Sequence, residues 1–258
     1  MRLIKRSYVV LRTFGVVELG RRIGEYAIPP RRMTIRDLTP FDSLVARDPW
    51  MALSSLMGEC DGDAIDRDSY DAYVREWEEL ERTLDRGSIT KIPSEYDVEG
   101  STAKVLYVLV RWRRPRVILE TGIARGFSSF ALLTAVQANG FGIVHSCDVD
   151  PAAGEFVNAG LRDDWIKHVI DARDAKTAFA LLVDSLEDID FFFHDSNHRE
   201  KWMEFEFQTV LPRMSAGAIL GSDDVDLNHA FLSVIPSCSK SVILLDSRKA
   251  SAFGVVKP

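Results

Sequence analysis

From Val117 to the carboxyl end, short β-rich apolar runs alternate with helical ones, and that alternation leaves few folds open. VILE (117–120), GIVHSCD (142–148), HVID (168–171), DIDFFFHD (188–195) and AGAILGSDD (216–224) read as strands, because each is a short apolar run that ends in polar residues. Between them, SSFALLTAVQAN (128–139), a stretch from Pro151, Ala175 to Leu186 and Glu200 to Leu211 read as helices. SVILLD (241–246) and AFGVVKP (252–258) close the pattern as two more strands. Strands that alternate with helices predict an α/β fold: a Rossmann-like, mostly parallel, seven-stranded sheet with helices on both faces.

The amino-terminal third follows a different rule. Pro29, Pro30, Pro40 and Pro49 mark residues 29–49 as a connecting stretch. From Ser69 to about Leu84, Tyr70, Tyr73, Val74, Trp77, Leu80 and Leu84 recur at three- and four-residue steps, which predicts an amphipathic helix with its aromatic stripe in the core. ECDGDAIDRD (59–68) superficially follows a calcium loop, but Ile65 stands where a ligand is needed. Ser101 to Trp112 reads as a helix that opens the main domain. Residues 1–94 are accordingly expected to form an arm and helical cap, and residues 95–258 the main domain.

Composition excludes several classes. A formal charge of -7 and a pI near 5.3 argue against a nucleic-acid binder, which needs a basic face to displace phosphate counterions. Cys60, Cys147 and Cys238 are odd in number and in no metal-ligand spacing, so reduced thiols in the cytoplasm are expected. No run approaches the roughly 18 apolar residues of a membrane span. Residues 1–33 nevertheless carry Arg2, Lys5, Arg6, Arg12, Arg21, Arg22, Arg31 and Arg32 against Glu18 and Glu25. Such an arm is expected to pack across its own domain or a sister subunit of a homo-oligomer, with peripheral contact to an anionic membrane as the alternative.

The segment VILETGIARGFSS puts Gly122 and Gly126 between a strand and a helix, where the backbone turns tightly and comes close to a ligand. A dinucleotide fingerprint needs glycine two positions after Gly122, and Ala124 stands there, which disfavours a nicotinamide enzyme. The next strand ends in HSCDVDP, where Asp148 is placed to accept the hydroxyls of a ribose. This E-x-G-x-x-x-G loop with its following aspartate resembles motif I of the class I S-adenosylmethionine-dependent methyltransferases. The resemblance implies that Glu120, Gly122, Ala124, Gly126 and Ser128 shape the methionine side of a cofactor pocket, together with Glu99 and Gly100 at the start of the preceding helix. It also implies that Asp148 holds the ribose and that Ala172 and Arg173 flank the adenine.

FFFHDSNH (191–198) runs from a buried strand into a polar cluster, and LGSDDV carries Asp223 and Asp224 at the end of the neighbouring strand. Asp195, Asp223 and Asp224 at one mouth would repel one another unless a cation sits among them or one takes a proton. Oxygen-only ligands point to a hard ion, most simply Mg²⁺. The arrangement looks like that of the metal-dependent O-methyltransferases of catechol and of macrolide sugars, and the likeness covers about residues 95–258. It implies Asp195, Asp223 and Asp224 as metal ligands, with Asp195 also at the cofactor. His198 stands where catechol-type members have a lysine base and resembles the D-x-x-H of sugar-modifying relatives, which implies a general base. His194 is the rival base, but its place before Asp195 points it to the other side of the strand. His229 is expected to be a bystander. The acceptor implied is a hydroxyl of a small molecule or saccharide. A metal-independent methyltransferase and a noncatalytic binding protein on the same fold are the alternatives.

Overall fold

The structure, a computed structural model, describes residues 32–38, 43–57, 64–85, 92, 94–246 and 251–258. Most of the basic arm, residues 1–31, and residues 59–63 of the acidic loop thus lie outside the described residues. The elements in chain order are α1 (Ile35–Leu38), β1 (Leu44–Ala46), α2 (Pro49–Met57), α3 (Arg67–Arg82), α4 (Gly100–Arg113), β2 (Val117–Thr121), α5 (Phe127–Asn139), β3 (Ile143–Asp148) and β4 (Trp165–Val169). There follow α6 (Ala175–Ser185), β5 (Ile189–His194), α7 (Glu200–Val210), β6 (Met214–Ser222), α8 (Ala230–Val234), β7 (Lys240–Leu245) and β8 (Ala252–Lys257).

The strands form one sheet in the order β1-β7-β8-β6-β5-β2-β3-β4, parallel except for β8. Phe191, Phe192 and Phe193 in β5 are fully buried, and alternate side chains enter opposite cores. Phe191 and Phe193 join the layer built by α2–α5, while Phe192 joins the layer of α6–α8. A strand covered on both faces needs no polar alternation, which is why this one reads as a continuous apolar run. The chain steps from β2 outward to β3 and β4, then returns to place β5 on the other side of β2. That reversal opens a crevice beyond the carboxyl ends of β2 and β5, the usual ligand position in sheets of this type.

Several expectations need correction. The sheet has eight strands rather than seven, because Leu44–Ala46 pairs in parallel with Val242–Leu244 of β7. This strand is three residues long and lies at the edge, where flanking prolines are tolerated. The amino-terminal extension is therefore not wholly helical. The helix expected from Pro151 is absent: Gly154 takes a left-handed φ of 92°, and the chain turns before a short 3-10 helix at Ala159–Asp164. The third strand of the alternating run is Trp165–Val169 rather than 168–171, since pairing to Val144–Asp148 sets its limits. Helix α3 also starts two residues early, where Asp66 accepts a 2.8 Å bond from the Ser69 amide and caps it. Among the described residues, no helix is long and apolar enough to cross a membrane.

At the free edge of the sheet, His145 of β3 and His168 of β4 stack with ring centroids 5.4 Å apart, and their Nδ1 and Nε2 atoms lie 3.1 Å apart. Burial lowers the pKa of both from 6.5, and the proximity of His168 lowers that of His145 further. The folded chain thus binds protons less readily than the unfolded one, so the pair costs nothing well above pH 6.5 and removes stability as pH falls below it. Urea unfolding followed against pH should show an acid-side loss that is reduced in the His145→Gln/His168→Gln variant; an unchanged profile would discount the pair.

Candidate active site

Beyond β2 the backbone makes a left-handed loop, with φ of 84° at Gly122, 46° at Ala124 and 88° at Gly126. A Cβ at position 122 would stand 2.1 Å from the carbonyl oxygen of Asp195. Only glycine lets the exits of β2 and β5 approach this closely. Ala124 holds a conformation that disfavours side chains, and its neighbours fix it there. The amides of Ile123 and Ala124 donate to Asp148 Oδ2 at 2.8 and 3.1 Å, and the Gly154 amide donates to the Ala124 carbonyl at 2.9 Å. The Asp150 amide donates to Asp148 Oδ1 at 2.8 Å. Asp148 thus stands at the end of β3 beside the loop, as a ribose-binding carboxylate must, but it also organises that loop. Burial raises its pKa despite those three amides.

The remaining cofactor candidates divide. Glu120 is fully buried between β2, β3 and α5, where its Oε2 accepts from Ser129 Oγ at 2.6 Å and Ser146 Oγ at 2.5 Å; burial raises its pKa, and Ser128 lies beside it. Its carboxylate is engaged with these serines within the fold. Glu99 stands at the N-cap position of α4, Gly100 opens the helix, and Glu99 lies close enough to Asp223 to affect its ionisation. Ala172 and Arg173 lie in the turn after β4, with Arg173 exposed and bonded to Asp171 at 2.6 Å. The cradle fits S-adenosylmethionine in its left-handed loop, its close backbone approach and the carboxylate at the next strand end.

At the other wall of the crevice, the Asp195 amide donates to the Thr121 carbonyl and the Asp223 amide to the His194 carbonyl, so sheet pairing carries both acids to the same edge. Burial raises the pKa of each well above the carboxylate range, and Asp224 adds to the effect on both. Asp195 is a further cause for Asp223, which His198 opposes. His198 Nε2 lies 3.5 Å from Asp195 Oδ1, while its buried Nδ1 has no partner among the described residues. Asp224 lies near both but is engaged elsewhere. Its φ of 52° turns it out of line with Asp223, and Arg32 Nη1 binds its Oδ1 at 2.8 Å. Two crowded carboxylates and a third nearby suit a hard divalent ion by chemistry. Yet among the described residues no three acidic, histidine or cysteine side chains converge closely enough to hold one. The expected three-carboxylate site is therefore not assembled among the described residues, and Asp224 is bonded to Arg32 instead.

His194 does point away, as its place in the strand requires. Its Nδ1 lies 2.6 Å from Glu206 Oε2, which also accepts from Thr121 Oγ1 at 2.8 Å, and Ser196 Oγ binds Glu206 Oε1 at 2.7 Å. Burial lowers the His194 pKa, while burial of Glu206 is outweighed by His194, Ser196 and Thr121, which together hold its pKa below the ordinary value. His229 is largely exposed at the start of α8. Sequence reasoning missed Glu206, Arg32 and a buried ion pair between Arg125 and Asp97. In that pair Arg125 Nε donates to both Asp97 oxygens at 3.1 and 3.0 Å, and the guanidinium carbon stands 4.9 Å from the Phe156 ring centroid. The pair binds the glycine loop to the segment leading into α4. Arg125 sits inside the quoted glycine loop, yet no local pattern marks its partner.

Residues 119–225 match a family model described as a methyltransferase domain. The span begins in β2 and ends just past Asp224, so it contains the loop, Asp148, Asp195, His198 and the acidic pair. Over that span, which is less than half of the chain, the sequence is similar to a methyltransferase domain. No curated protein matches the chain in sequence. Among solved structures, the O-methyltransferase TomG from Streptomyces achromogenes, involved in tomaymycin synthesis and bound to SAM, is 19% identical with a TM-score of 0.51, over 75% of this chain and 92% of its own. Cofactor-bound Rv0187 from MTB is 18% identical with a TM-score of 0.52, over 74% and 90% respectively. At these identities the likeness is one of fold.

Two substitutions test this construction. Gly122→Ala should cost at least about 1–3 kcal/mol in urea unfolding, because the clash is with backbone and no rotamer relieves it. Asp97→Ala should cost about 3–5 kcal/mol by leaving Arg125 buried and unpaired, whereas replacing both partners with leucine should cost less.

Proposed function

We propose that the chain is an S-adenosylmethionine-dependent O-methyltransferase that methylates a hydroxyl of a small molecule or saccharide with the help of Mg²⁺. One observation carries the reading: the glycine loop and the acidic edge meet in backbone contact at Gly122 and Asp195, so a methyl donor on the loop would lie beside the acids and His198. The cofactor would supply an activated methyl group; a divalent ion would be held by Asp195 and Asp223, with Asp224 as a third ligand only if it turned from Arg32, and would supply Lewis acidity toward the acceptor hydroxyl. His198 takes that proton at Nε2, the nitrogen facing Asp195, and Asp195 stabilises the imidazolium that forms. The loop and the buried ion pair behind it hold the reacting atoms in line, which is where much of the acceleration arises.

A metal-independent methyltransferase is the second reading, favoured by the hold of Arg32 on Asp224; there Asp195 and Asp223 would bind substrate directly. A noncatalytic binding protein on this fold would show no turnover with any acceptor. The leading reading also takes the enzyme as cytoplasmic and homo-oligomeric, with the basic arm at the subunit contact or on an anionic membrane, and with no nucleic-acid partner.

The test is methyl transfer from labelled cofactor to a panel of hydroxylated metabolites and oligosaccharides, with Mg²⁺ or with chelator. His198→Ala should lower kcat by about 10²–10⁴-fold. Asp195→Ala and Asp223→Ala should abolish turnover while cofactor affinity stays within about tenfold, or 1.4 kcal/mol. Full activity in chelator would remove the metal from the proposal, and full activity in the aspartate variants would remove the site.

A further inference from the structure

Glu206 is 1% exposed, and the proposed reaction does not use it. Its carboxylate meets four polar groups from three parts of the fold. Oε2 accepts from Thr121 Oγ1 at 2.8 Å and stands 2.6 Å from His194 Nδ1, while Oε1 accepts from Ser196 Oγ at 2.7 Å and from Trp202 Nε1 at 2.5 Å. With its pKa below the ordinary value, Glu206 is ionised at neutral pH and can only accept, so His194 carries a proton on Nδ1 and donates it into this bond. The placing of the partners matters more than their number. Thr121 ends β2 directly before Gly122, and His194 ends β5 directly before Asp195. Gly122 and Asp195 are the residues whose backbone contact closes the crevice. Ser196 lies in the turn between Asp195 and His198, and Trp202 Nε1 also reaches its Oγ at 3.1 Å, so α7 holds that turn at two points.

We propose that Glu206 is a positioning residue: from α7 it clamps the ends of β2 and β5, and so holds the glycine loop and the turn bearing Asp195 and His198 at one spacing. This rests on the methyltransferase reading of the site and does not need the metal. Glu206 touches no reacting atom. It acts through Thr121 on the loop, and through His194 and Ser196 on the turn. Transfer in line is sensitive to such spacing, since a displacement of about 1 Å can cost about 10²-fold in rate. The negative charge is required as well as the shape. A glutamine would turn its NH2 group either toward Trp202, which only donates, or toward His194, which would have to give up its Nδ1 proton. The clamp loosens in both cases. The two hydroxyl partners act on different halves of the site, Thr121 on the loop and Ser196 on the turn, so their removal should have different consequences.

The experiment compares the full-length chain with Glu206→Gln, Thr121→Val and Ser196→Ala. Calorimetry with S-adenosylhomocysteine reads the loop, and kcat for labelled methyl transfer to an acceptor used by the parent chain reads the turn. Thr121→Val should weaken S-adenosylhomocysteine binding about tenfold, a larger effect than on kcat, whereas Ser196→Ala should lower kcat about tenfold, a larger effect than on affinity. Glu206→Gln should lower both, and should speed hydrogen exchange at the Asp195 and Asp223 amides, whose bonds to the Thr121 and His194 carbonyls mark the joined strand ends. Should Glu206→Gln fail to fold, the two hydroxyl variants carry the test. Parent-like affinity, kcat and exchange in Glu206→Gln would overturn the clamp. Equal losses of affinity and kcat in Thr121→Val and Ser196→Ala would also overturn it, since a general stabiliser has no such division. A parent chain that methylates no acceptor would overturn the enzyme reading, and exchange in Glu206→Gln would still decide the clamp.

Discussion

The carbonyl oxygen of Asp195 occupies the space where a side chain at position 122 would begin, and the rest of the site follows from that contact. It forces glycine at the turn after β2 and brings the exits of β2 and β5 together. The left-handed loop then shares a wall with acids that need a cation or a proton. Neither half makes such chemistry alone. The sheet's reversal at β2 supplies the crevice, and the absence of a Cβ supplies its tightness.

Around this contact the fold buries polar groups in matched sets and leaves one set unmatched. Asp97 answers Arg125, His194 answers Glu206, and serine hydroxyls answer one oxygen of Glu120. Each pairing is local to the loop or to β5, and each makes the crevice wall stiff. Among the described residues Asp195 and Asp223 have no such answer beyond His198, and burial beside other carboxylates raises their pKa. A stability-optimised core would have replaced them. Their presence at the mouth is the physical argument that something outside the polypeptide is meant to meet them.

Much of the architecture was legible because it rests on local periodicity. FFFHDSNH declared a buried strand with a polar exit, VILETGIARGFSS a strand, tight loop and helix, and LGSDDV a second acidic exit. Residues with no local signature were harder. Leu44–Ala46 is too short to register as a strand until β7 offers it hydrogen bonds, and the helix expected from Pro151 fails on the left-handed backbone at Gly154. Glu206 reads as one more polar position on the amphipathic helix α7. Its engagement with His194, Thr121 and Ser196 exists only because that helix lies over the end of β5.

The sequence by itself determined the alternating order of strands and helices, the apolar strand interiors, and the types of residue at each strand's carboxyl end, since these follow from side-chain chemistry within a few residues. Tertiary structure decided which ends meet. Proximity between residues distant in the chain depends on strand order and backbone twist rather than on any neighbouring side chain. That is why Arg32 was legible as part of a basic arm but not as the partner of Asp224. It is also why three aspartates that belong together by composition are divided by one left-handed turn and one guanidinium.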